Sequence, residues 1–158
     1  MIDPKGITIG SHVLFNGERV EVRAIDTHHD EDAPMVVTVH EVIASGEYDI
    51  PCEPVELDPI PITEELLTEI AEKYATLDYG RTYFEKYDGY TYFNIWLNDE
   101  YLITGTIDTE HPNEFDVDIL KYSGNEFVDD DIVVTANKVQ YLHILESLIY
   151  LTTKQHLL

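Results

Sequence analysis

The residues best suited to chemistry in this chain form one run, His28-His29-Asp30-Glu31-Asp32. Neutral imidazoles and carboxylates together suit several divalent ions. Neighbouring side chains of an extended loop point apart, however, and no H-x-x-x-H spacing supports the pair. The run also lacks the glycine and closing glutamate of a calcium-binding loop. A solvated acidic loop is the reading that the pattern favours, and no metal ligand is assigned. Asp129-Asp130-Asp131 stands just before an expected closing helix, where acidic charge complements the positive end of the dipole. A magnesium site there would need further ligands that the sequence does not nominate.

Other candidates fall to ordinary structural roles. Glu114, Asp116 and Asp118 lie on one face of an expected strand and suggest an acid/base pair. Charges at alternate positions on the wet face of an antiparallel strand are common, and that is the reading adopted. His143 is expected on the narrow polar side of the closing helix, as a surface or hydrogen-bonded histidine rather than a base. Cys52 stands alone, so there is neither an intramolecular disulfide nor a cysteine-based zinc site. Nothing near it in sequence would activate the thiol. The tyrosines and Trp96 within Arg81–Tyr101 have the right faces to stack bases or sugars. Nucleic acid would also need a basic groove, which is missing, so these aromatics read as sheet core with some hydroxyls at the surface. No nucleophile, base and orienting group can be nominated together, and no phosphate-cradling glycine loop occurs. The expectation is a non-enzyme with no catalytic residue, no cofactor and no metal.

Charge narrows the partner. Thirty-two Asp and Glu face nine Lys and Arg, a formal net charge of −23. The acidic residues occur throughout the chain, so this is not an acidic tail on a neutral domain. With no basic cluster to release counterions, direct nucleic-acid binding is disfavoured, and anionic membranes for the same reason. A basic protein partner is allowed; solubility alone is the competing account. The 44% hydrophobic fraction supports a core. No apolar run approaches the roughly 20 residues of a membrane span, and the N-terminus carries no signal-peptide pattern. The expected location is cytoplasmic.

The elements that would position these residues are legible as patterns. Asn16-Gly17 is a strong hairpin signal, since both turn positions tolerate positive φ. Strands are expected at His12–Phe15 and Glu18–Ile25, the second with Val20 and Val22 inward against Glu21 and Arg23. MVVTVHEVI and EYDI follow as strands, with a turn at Ser45-Gly46. CEPV reads as a tight helical turn and VEL as a fifth short strand. This order resembles SH3-like barrels, and a small SH3-like β-barrel is expected over residues 1–58. Pro54, Pro59 and Pro61 keep the junction extended. Thr63 then caps an amphipathic helix carrying Leu66, Leu67, Ile70 and Tyr74. The second domain, residues 59–158, continues with a four-stranded antiparallel meander. Its turns are Asp88-Gly89 and Asn98-Asp99, and its last strand turns Phe115, Val117 and Ile119 inward. A closing helix is expected over about Ala136–Gln155, capped by Thr135 or Asn137. Its stripe of Tyr141, Leu142, Leu145, Leu148 and Ile149, widened by Ile144 and Leu151, leaves Gln140, His143, Ser147 and Lys154 polar. So apolar a helix has to be covered, by the sheet, by the other helix or by a second subunit. The fold class is α+β.

The phrase LDPIPITEELL, the aromatic strands and the closing VQYLHILESLIYLTTKQHL resemble small acidic proteins encoded in Bacteroides-type prophages and mobile elements. Tyr141, His143, Leu145, Leu148 and Tyr150 match that family's closing helix, whereas Glu146-Ser147 replaces its Gln-Asn pair. The resemblance implies a phage or mobile-element setting and no known activity. A non-enzymatic interaction protein is the leading expectation. The alternative is an acidic DNA mimic that occupies a host DNA-binding or defence protein.

Overall fold

The computed structural model describes residues 7–26, 35–43, 46–75, 82–122, 132–154 and 157–158. The fold is mixed α+β; among the described residues there are two antiparallel five-stranded sheets and two α-helices. The chain forms two compact units, one of residues 1–60 with 141–147, the other of 61–140 with 148–158.

The first unit begins with β1 (His12–Phe15) and β2 (Glu18–Asp26). Their turn is Asn16-Gly17, with φ of 52° and 84°, both in the left-handed region that this tight turn requires. Strands β3 (Val36–Ile43) and β4 (Gly46–Cys52) follow, then a 3₁₀ turn at Pro54–Glu56 and β5 (Leu57–Asp58). The sheet order is β4-β3-β2-β1-β5. The sheet is open: β4 and β5 are its two edges, and no pairing between them closes a barrel among the described residues. Val13, Val20, Val22, Val37, Val39 and Leu57 make the core on one face. The inward–outward alternation of Val20, Val22 and Glu21 follows from the two-residue period of a strand.

In the second unit, Thr63 caps α1 (Glu64–Ala75): its hydroxyl accepts the Leu66 amide at 3.2 Å. Leu67, Ile70 and Tyr74 are buried along one stripe, and the Tyr74 hydroxyl donates to the Leu157 carbonyl at 2.9 Å. A five-stranded meander follows: β6 (Tyr83–Lys86), β7 (Tyr90–Trp96), β8 (Tyr101–Asp108), β9 (Phe115–Lys121) and β10 (Ile132–Val139). Helix α2 (Leu142–Thr153) closes the chain; its residues 142–147 belong to the first unit and 148–153 to the second.

Strand β10 corrects the sequence reading, which expected four strands and a helix starting near Ala136. Ile132-Val133-Val134-Thr135 is β-branched and therefore stiff and strand-favouring. It pairs with β9, Val134 opposite Ile119 and Thr135 opposite Asp118. Lys138, at φ 56°, breaks any helical path through this segment. Thr135 caps no helix; its hydroxyl donates to the Asp118 carboxylate at 2.7 Å. Helix α2 differs from expectation in its faces as well. His143 and Glu146 are each only 4% exposed, and Leu151, expected in the apolar stripe, is 63% exposed. Asp129–Asp131 lie outside the described residues, as do His28–Asp32 and Ser45. The described element that follows Asp131 is β10 rather than a helix, so the expected dipole role has no helix to serve.

Candidate interaction surface

The surface is set by strand register. Tyr92 stands opposite Thr106 and Thr106 opposite Asp116; Asn94 stands opposite Thr104 and Thr104 opposite Asp118. Because successive residues point to opposite faces, one face of this sheet is polar. The other face carries Phe93, Ile95, Ile103, Phe115, Val117 and Ile119, all buried. A Trp96, Leu102 and Leu120 cluster finishes one end of the polar face, with Tyr122 edge-on to Trp96. Toward the other end lies the β6–β7 hairpin, where Glu85 pairs with Tyr92 in register.

The polar groups bond along the face. Thr104 donates to the Tyr92 hydroxyl at 2.6 Å, and that hydroxyl donates to the Asn94 carbonyl at 3.2 Å. A shallow cavity of about 320 Å³ is lined by Tyr92, Thr104, Thr106, Asp116, Asp118 and Thr135. A smaller one of about 150 Å³ adjoins it through Asp116, with Asp108, His111, Glu114 and Lys138. The Asp108 carboxylate holds the 108–113 loop: it accepts the Glu110 amide at 2.8 Å and bonds the His111 ring at 3.0 Å. The bond to His111 pushes that imidazole's pKa above its ordinary value and, with the Glu110 amide, lowers the carboxyl of Asp108.

At the hairpin tip, Tyr87 and Tyr90 stack with ring centroids 5.0 Å apart and planes 17° from parallel. They are 50% and 42% exposed. The Tyr87 amide donates to the Tyr90 carbonyl at 2.8 Å across Asp88-Gly89, and the Tyr87 hydroxyl donates to Glu85. Tyr90 lies opposite Asp108 in register. The expectation that the tyrosines and Trp96 were chiefly sheet core therefore holds for Trp96 but not for this pair.

The row Glu114, Asp116, Asp118 does share a face, and each member is engaged by β10. Lys138 bonds Glu114 at 3.0 Å, its amide donates to Asp116 at 3.0 Å, and Thr135 holds Asp118. These bonds tie the row to β10. On the opposite face of the hairpin, Lys86 bonds Glu64 of α1 at 2.8 Å. Elsewhere Arg23 bonds Glu21, Lys73 and Lys154 bond backbone carbonyls, and Lys121 lies over the Tyr101 ring.

The first unit buries two titratable groups on α2 that sequence reasoning missed. Glu146 accepts both the His12 amide and the His12 ring nitrogen Nδ1, each at 2.7 Å. His143 is not on a polar side: its ring stacks on Tyr141, its Nδ1 has no hydrogen-bond partner, and burial lowers its pKa below the ordinary value. The one available signal was their spacing, since 142, 143, 145, 146 and 149 fall on one broad helical face. Cys52 is buried, its thiol donates to the Val37 carbonyl at 3.3 Å, and burial followed by the charge of Glu56 pushes its pKa up to about 11. Such a thiol is poorly nucleophilic. Among the described residues no group of three or more His, Cys, Asp and Glu is placed to hold a metal ion, and no helix is long and apolar enough to cross a membrane.

Comparison with known proteins finds no family model, no curated protein and no solved structure that matches this chain.

Proposed function

We propose that the protein is a non-enzymatic interaction protein whose second sheet holds a basic polypeptide partner on its polar face. One observation carries this reading. The face presents two half-exposed tyrosines beside Glu85 and Asp108, while the described lysines and arginines are already engaged within the chain. A polyanion would find no cation ready to receive it. A cationic partner would find aromatic faces and carboxylates on a rigid sheet, and the net charge of −23 would speed its approach.

The chemistry-bearing residues favour a binding role over catalysis: His12 is taken up by Glu146, and the Cys52 thiol is held protonated. In line with the resemblance above, we place the protein in a phage or mobile-element setting, acting in the cytoplasm. The SH3-like reading of the first unit rests on its strand order and on the 3₁₀ turn before β5. A duplex-mimicking surface draws less support, because Lys138 interrupts the row Glu114, Asp116, Asp118 and Lys86 pairs with Glu64 on α1.

The test is a titration of the protein with a short basic peptide, a neutral peptide of equal length and a DNA duplex, at low and raised salt. The expected result is binding of the basic peptide alone, weakening as salt screens it. No binding of the basic peptide at low salt would refute the reading.

A further inference from the structure

We propose that the stacked Tyr87–Tyr90 pair, with Glu85 and Asp108 beside it, is the receptor for an arginine side chain of a basic partner. This rests on the basic-partner reading and locates its point of attachment.

Three features of the hairpin point to it. The first is exposure: two large rings stand about half in solvent and stack on each other. The second is rigidity. The Tyr87 amide closes the turn onto Tyr90, the Tyr87 hydroxyl is held by Glu85, and both the amide and the hydroxyl of Thr109 donate to the Gly89 carbonyl, at 3.0 and 2.9 Å. Rings ordered in advance lose little entropy when a ligand settles on them. The third is charge. Glu85 uses one carboxylate oxygen for Tyr87, leaving the other to accept an incoming N–H. Asp108 sits directly across the sheet from Tyr90 and adds negative charge beside the rings, while its two oxygens hold the Glu110 amide and the His111 ring.

The cation of the hairpin itself does not compete. Lys86 falls between Glu85 and Tyr87, so it points to the opposite face, where it bonds Glu64. A guanidinium fits this setting better than an ammonium. It is planar and weakly hydrated, lies flat on an aromatic face, and offers its edge N–H groups to carboxylates at the same time.

The experiment uses the whole chain and three labelled peptides of one sequence, carrying arginine, lysine or citrulline at the basic positions. Binding is read by fluorescence anisotropy for the unaltered protein and for Tyr90→Ala, Tyr90→Phe, Glu85→Gln and Glu72→Gln. The last removes a carboxylate from exposed α1 and controls for charge alone. The arginine peptide is expected to bind most tightly and to lose about three- to thirty-fold with Tyr90→Ala. Tyr90→Phe should largely keep affinity, Glu85→Gln should weaken binding, and Glu72→Gln should change it less than twofold. In the unaltered protein, ring currents should move the arginine side-chain proton resonances upfield. The inference is overturned if the arginine and lysine peptides bind alike and ignore Tyr90→Ala, if Glu72→Gln costs as much as Tyr90→Ala, or if the arginine resonances do not move. In those cases the basic-partner reading survives. Failure of every basic peptide to bind at low salt would end both.

Discussion

Glu146→Ala should destabilise the protein strongly, although the residue lies in the middle of a helix. Its carboxylate is buried and accepts two hydrogen bonds from His12, one from the backbone amide and one from the ring, each 2.7 Å long. Hydrogen bonds to a charged group contribute ~1.5–3 kcal/mol each. Part of that gross loss is returned, because alanine has no charge to desolvate. The half-buried amide of His12 loses this acceptor, and leaving such a donor unsatisfied costs up to ~1–3 kcal/mol. We expect a net loss of ~2–4 kcal/mol from these terms. At ~2–4 °C per kcal/mol for a chain of this size, the melting temperature should fall by roughly 5–15 °C. Glu146→Gln should cost far less, on the order of 1 kcal/mol. Its carbonyl still accepts the amide, and its NH₂ can donate to Nδ1 once the neutral ring adopts the other tautomer. Urea denaturation of both variants, completed as a double-mutant cycle with His12→Ala, measures the coupling directly. Equal stability of Glu146→Ala and the unaltered protein, or a coupling near zero, would refute the argument and leave Glu146 as a bystander.

Leu145 is buried in the same helix, so Leu145→Ala should cost ~2–5 kcal/mol in urea denaturation, and an unchanged midpoint would mean that the side chain packs against nothing. Gly105→Ala should cost at least ~1–3 kcal/mol, because an added Cβ collides with the Asp116 carbonyl and lies 2.7 Å from Cζ of Phe93; melting measurements check this. Asp108→Asn should lower the titration midpoint of His111 in an NMR pH series, since Asp108 is the main cause of its upward shift. The sign follows from linkage: the pair's contribution through His111 is complete below its ordinary value of 6.5 and is lost as pH rises through the raised value. Through Asp108 the contribution is present above its ordinary value of 3.8 and is lost as pH falls through the lowered one.

By itself the sequence determined what short-range physics decides. The Asn16-Gly17 turn, the Thr63 cap, the Asp88-Gly89 hairpin and the inward set Phe115, Val117 and Ile119 were all legible, because turn chemistry, capping and a two-residue period depend on neighbours in the chain. For Ile132–Val139 the tertiary structure settled the matter in favour of the strand that β-branched Ile132–Thr135 already prefers. Those residues become a strand because β9 offers them a free edge, a pairing partner that lies well before them in the chain. It also decided that Glu146 is buried, since only the arrival of His12 makes a carboxylate affordable there. Lastly, it decided the polar face that we propose as an interaction surface. Tyr87, Tyr90, Glu85, Asp108 and Asp116 come from four separate stretches, and register brings them onto one face of a sheet. No local pattern reports which of two sheet faces receives helices and which stays open to a partner, because that outcome is fixed by packing between distant elements.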